Sequence, residues 1–170
     1  MATPTVEEAK KKIGEWLAEN GHTTNLLDDG NANFHFEVDY PGGTEKRQRI
    51  IQPSAYPDLC LVLTGVAIAE EHKEKLGAMS REERDGFYNE IRKALIFLDN
   101  SYDMSTDESG VAQQIQFSYE FYLDSLTKTQ LFKSLLLNHR TLLYIVTVFN
   151  EKFGIPATST EIPPQKHRLQ

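Results

Sequence analysis

Two stretches of the chain alternate between apolar and polar residues with a period of two. In the first, Ala32, Phe34, Phe36, Val38 and Tyr40 interleave with Asn33, His35, Glu37 and Asp39. In the second, Ile115, Phe117, Tyr119, Phe121 and Leu123 interleave with Gln114, Gln116, Ser118, Glu120 and Tyr122. Side chains alternate sides along an extended chain, so each stretch predicts a strand with one buried face and one wet face. Leu26 and Leu27 predict a short strand ahead of the first, followed by turn chemistry in Asp28-Asp29-Gly30-Asn31. Pro41-Gly42-Gly43 turns the chain into a return strand from Lys46 to Gln52, stopped by Pro53. Leu59 to Thr64 is apolar enough for a central strand. Tyr102 to Ser105 predicts a weaker one before the loop Thr106-Asp107-Glu108-Ser109-Gly110.

Elsewhere the period is that of a helix. Val6, Ala9, Ile13, Trp16 and Leu17 form one stripe, with Thr5 and Glu8 spaced for a capping box and Gly21 placed to end the helix. Ala69 to Leu76 predicts a short helix. Ser80 with Glu83 starts a longer one, whose buried stripe is Phe87, Ile91, Ala94, Leu95 and Leu98. Thr127 with Gln130 starts the last, which runs to Phe153-Gly154 and carries Leu131, Leu135, Leu142, Ile145, Val146 and Phe149. About 26 residues at 1.5 Å each make a helix about 39 Å long. Its apolar residues occupy more than one face, so part of it is expected to meet something beyond its own sheet. Leu142, Ile145 and Phe149 are the expected interface residues.

The expected fold is α+β, in the order α-β-β-β(-β)-α-β-β-α: an antiparallel sheet with helices packed on one face. Residues 1–154 read as one domain. Residues 155–170, with Pro156, Pro163 and Pro164 and no period, read as a flexible tail.

Charge narrows the partners. The formal net charge is -7, which disfavours generic binding to phosphate backbones. The most apolar stretch, Leu142 to Phe149, is too short to span a bilayer, and Met1-Ala2-Thr3-Pro4 leads into charged residues unlike a signal peptide. The expected location is therefore cytoplasmic, with neither nucleic acid nor membrane as partner. Cys60, the single cysteine, sits in an apolar run and reads as a buried small hydrophobe.

The inventory of reactive groups is thin. Gly42-Gly43 lacks the Lys-Ser or Lys-Thr and the helix start of a phosphate loop. Glu71 and His72 are adjacent, about 100° apart on a helix, and so do not share a face as metal ligands would; a solvated helix start is the plainer reading. Asp28-Asp29-Gly30-Asn31 lacks the spaced acids of a calcium loop. No Ser sits in a Gly-x-Ser-x-Gly elbow, and Asp124 is placed to orient a helix start. His139-Arg140 interrupts the apolar pattern of the last helix. Lys46-Arg47-Gln48-Arg49 reads as a charged edge strand that discourages sheet-to-sheet pairing. His35, with Glu37 on the same strand face, is the candidate ligand contact or general base, with Gln48 as a partner from the neighbouring strand. No catalytic residue, metal ligand or cofactor is assigned.

Several segments together resemble an uncharacterised, largely archaeal prokaryotic family assigned to the fold of type III secretion chaperones. They are Ala32-Asn33-Phe34-His35-Phe36, Ile51-Gln52-Pro53, Ile68 through Glu71-His72, and Tyr122 through Asp124 with Leu126 and Lys128. The order of elements agrees over residues 5 to 153. The resemblance implies a small acidic domain, often a homodimer, whose relatives in that fold bind segments of other proteins; it implies no cofactor. Two functions follow as expectations. The first is a protein-binding module, chaperone or adaptor-like, that homodimerises and takes a protein client. The second is a small-molecule binder or hydrolytic enzyme using the polar sheet face around His35.

Overall fold

A computed structural model describes residues 3–39 and 47–157. Helix α1 (Val6–Glu19) leads into strands β1 (Thr24–Leu26), β2 (Ala32–Asp39), β3 (Arg47–Pro53) and β4 (Leu59–Ala67). Helices α2 (Glu70–Ala78) and α3 (Arg81–Ile96) follow. The chain then returns through β5 (Ser101–Thr106) and β6 (Ala112–Tyr122), and a single 3-10 turn joins β6 to α4 (Lys128–Phe153). The sheet order is β1-β2-β3-β4-β6-β5, and every neighbouring pair is antiparallel.

Local chemistry sets the helix limits. Thr5 with Glu8 and Ser80 with Glu83 form complete capping boxes, each satisfying two of the backbone donors a helix start leaves open. At Thr127 only half the box exists: the hydroxyl accepts from the Gln130 amide, while the Gln130 side chain donates to the Tyr119 hydroxyl. Gly21, at φ +75°, lets His22 donate to the Leu17 carbonyl and close α1.

Strand alternation decides what lies under the helices. Phe34, Phe36 and Val38 of β2 share a face with Gln48 and Ile50 of β3, Cys60 and Val62 of β4, and Phe117 and Phe121 of β6. The helices cover this face, and their packing divides the interior into two clusters. In one, Ala9, Ile13 and Leu17 of α1 and Leu131 and Leu135 of α4 meet β2, β3 and β4. In the other, α2, α3 and the second half of α4 meet Ile115 and Phe117.

Between the clusters runs a buried polar seam. Ser134, Asn138 and Thr141 recur on the inner face of α4 at spacings of four and three. Asn138 donates to the Val62 carbonyl at 2.6 Å and accepts from Asn100 at 2.5 Å. The Thr141 hydroxyl lies 3.3 Å from Asn100 Oδ1, and Gln48 donates to the Leu135 carbonyl at 3.0 Å. These bonds fix where α4 crosses the sheet.

Two expectations change here. β3 is not an edge strand, for β2 and β4 flank it; β1 and β5 form the edges. Gln48 lies opposite Val38 on the helix-covered face, so it is not a partner for His35. The proposed tail lies beyond the described residues from 158 on, as do Tyr40, Gly42-Gly43 and Lys46.

The seam makes a paired test. Asn138→Ala leaves Asn100 and the Val62 carbonyl short of a partner and is expected to cost about 2 kcal/mol in urea unfolding. Thr64 is buried and its hydroxyl has no hydrogen-bond partner among the described residues. The isosteric Thr64→Val is therefore expected to raise stability by about 1 kcal/mol. A neutral Asn138→Ala together with a destabilising Thr64→Val would contradict this account of the seam.

Candidate functional site

The sheet face away from the helices holds His35 and Glu37. Directly across from them lie Ile51 and Arg49. Alternation alone makes this the wet face, yet the His35 ring is only 5% exposed. Its Nδ1 lies 2.9 Å from Asp29 Oδ2, with the carboxylate as acceptor. The other Asp29 oxygen accepts from the Asn31 amide, so one aspartate shapes the β1–β2 turn and holds the histidine. Glu37 is half-buried two residues on. Thus the structure keeps the two candidates on one face but encloses the ring on which ligand binding or base chemistry would depend.

His72, expected at a solvated helix start, is buried instead. It stacks on Phe149, and its Nε2 donates to the Gly154 carbonyl at 2.8 Å; a carbonyl only accepts, so this nitrogen carries the proton. Lys75, one turn on, donates to the Phe153 carbonyl. Together they satisfy carbonyls that the end of α4 leaves open. Only the acids before His72 behave as expected, with Glu70 pairing to Lys73 at 2.7 Å.

Other polar clusters are also spent on the fold. Arg84 donates to the Leu76 and Ser109 carbonyls and clamps the β5–β6 loop. In that loop the hydroxyl and amide of Ser109 and the Val111 amide hold the Asp107 carboxyl below its ordinary range. Burial pushes the Cys60 thiol up to about 12, far from a reactive thiolate. Among the described residues no three His, Cys, Asp or Glu side chains gather closely enough to hold a metal ion. No described helix is long and apolar enough to cross a membrane.

What remains outward-facing and apolar lies around the middle of α4. Leu142, Ile145 and Phe149, expected at an interface, are at most 3% exposed. They pack inside the chain's own second cluster, where Phe149 meets Phe87 edge-on at 5.2 Å. The outer stripe is instead Lys133, Leu136, Arg140, Leu143, Thr147 and Glu151, all exposed. Leu136 and Leu143 lie two turns apart on it, at 41% and 43% exposure. α3 also ends on exposed apolar residues. Its inner face is Phe87, Tyr88, Ile91 and Leu95, so Ile96, about 100° further round, points away from the core. Phe97 follows at 88% exposure. Asn100, bonded to Asn138 and Thr141, ties this corner to the midpoint of α4. The stripe expected at an interface is therefore the one that the chain's own core uses. In the sequence Ile96 lies off the α3 stripe, and Leu136 and Leu143 lie off the stripe named for α4.

Comparison with known proteins places the chain. Residues 9–149 match the profile of a family described as uncharacterized conserved protein (DUF2299), and the chain belongs to that family. It is similar to the crystal structure of an uncharacterized protein from Methanothermobacter thermautotrophicus: 27% identity, TM-score 0.80, over 86% of this chain and 99% of that one. A more distant likeness is to the crystal structure of YbjN from E. coli, with 11% identity and a TM-score of 0.45 over 87% of this chain and 93% of that one. No curated protein matches.

If His35 and Asp29 are a strut, their substitution costs are coupled. In a double-mutant cycle with Asp29→Ala and His35→Ala, urea unfolding is expected to give a coupling of about 1 kcal/mol. Additive costs would contradict the strut.

Proposed function

We propose that this member of the DUF2299 family is a protein-binding module that works through the outer corner formed by the middle of α4 and the end of α3. The observation that carries the reading is the exposure of Ile96 and Phe97, at 66% and 88%, just before Asn100, which bonds to the middle of α4, the helix that also exposes Leu136 and Leu143. Scattered single apolar residues on a surface need no explanation. Four large ones on two helices that Asn100 joins, with the exposed Arg140 on the same α4 stripe as the two leucines, have the composition of an interface: an aromatic, aliphatic anchors and an arginine.

Two further points support it. The polar clusters near reactive groups, at His35, His72, Arg84 and Asp107, each hydrogen-bond a turn, a helix end or a loop of the chain itself. The secretion-chaperone fold that the sequence resembles belongs to proteins that bind segments of other proteins. A chaperone or adaptor-like role, with homodimerisation and a protein client, is the form of the reading that fits both.

A photo-crosslinking amino acid at position 97, introduced in cells making the protein, tests this directly. Adducts with an identified protein, either this chain or another, are expected from position 97. They are not expected from Glu108, which is also exposed but lies in the polar β5–β6 loop. Absence of any protein adduct at position 97, or the same adducts from both positions, would overturn the reading.

A further inference from the structure

The outer stripe of α4 has a charge order that a second copy can complete. Lys133 stands near one end and Glu151 near the other, with Arg140 between them. At 1.5 Å per residue, Lys133 and Glu151 are about 27 Å apart along one helix and cannot meet within it. Among the described residues neither is in an ion pair of its own chain. In a two-fold contact, whatever residue i meets at j, residue j meets at i. Two α4 helices laid antiparallel about an axis at the level of Leu142 bring Lys133 of each copy to Glu151 of the other, twice per dimer.

The same axis arranges the rest of the stripe. Each Leu143 lies one residue from the axis level, so the two copies' leucines meet at the centre. The two arginines at 140 fall about 6 Å apart along the helices rather than level with each other. Asn100, three residues after Phe97, bonds to the middle of α4, close to the level of the axis, in each copy. Parallel helices would instead stack Lys133 on Lys133, Arg140 on Arg140 and Glu151 on Glu151. Overall charge favours this face as well. The chain carries -7, whereas this stripe has two cations against one acid, so two copies meet here with less self-repulsion than the average surface imposes.

We infer that the partner on this corner is a second copy of the chain, its α4 antiparallel to the first and held in register by reciprocal Lys133–Glu151 pairs. The inference rests on the reading of this corner as a protein-binding surface and adds the identity and orientation of the occupant. The apolar centre supplies the affinity, and the end charges choose the orientation, because exposed pairs contribute little energy each.

Sedimentation equilibrium of the full chain, with charge reversals, tests it. Lys133→Glu and Glu151→Lys are each expected to raise the dimer Kd by about tenfold, since two attractive contacts become repulsive. The double reversal should bring it back to about the wild-type value. Leu143→Glu should give monomer with an unchanged circular dichroism spectrum, as the residue is outside the core. A wild-type chain that stays monomeric at every concentration overturns the second copy as occupant; if position 97 still crosslinks to a different protein, the binding surface itself survives. A dimer indifferent to both single reversals overturns the register.

Discussion

The structure depends on how one 26-residue helix lies across one sheet. α4 touches both interior clusters, and the point where it crosses β4 is fixed by a hydrogen bond from the Asn138 side chain to a main-chain carbonyl of the sheet, at Val62. Apolar burial alone would leave α4 free to slide along its own axis, because leucines on a helix surface look much alike to a sheet of aliphatic side chains. A directional bond to a strand carbonyl does not allow that. Asn100 on Asn138 then sets the distance between α3 and α4, and Gln48 on the Leu135 carbonyl sets the approach of β3. Sliding α4 along its axis would break these directional bonds and leave buried amides and carbonyls unpaired, so the observed crossing excludes its neighbours.

Once the inner face is fixed, so is the outer one. Leu142 and Leu143 are identical in chemistry and adjacent in the chain, yet one is 3% exposed and the other 43%. Their fates differ only because successive residues on a helix point about 100° apart and Asn138 has chosen which direction is inward. The functional reading follows from this division: the stripe not needed by the fold keeps two leucines, two cations and an acid, and the end of α3 leaves Ile96 and Phe97 exposed as well.

Much of the fold was legible in the sequence. The period-two segments became β2 and β6 with Phe34, Phe36, Phe117 and Phe121 in the interior, and two of three capping boxes formed as spaced. Misreadings came where a local pattern depends on distant neighbours. Alternation assigns His35 to a face but says nothing of whether that face is crowded, and Asp29 lies six residues away across a turn. The basic run at β3 resembled an edge because charges protect edges; the strand order that makes it interior is a long-range fact. For α4 the periodicity announced more than one apolar face without saying which belonged to the fold. The bond that decides it joins residues 76 positions apart.

A thiol probe on the outer stripe tests the central claim that α4 gives one face to the fold and the other to a partner. Thr147→Cys is nearly isosteric and exposed, and Cys60 is buried with its thiol pushed up to about 12, so the native cysteine stays silent. The account requires rapid labelling at position 147 in dilute protein, slowing as concentration rises, while a cysteine placed at Glu108 labels at one rate throughout. Labelling at position 147 that is independent of concentration, or that occurs only on unfolding, would contradict it.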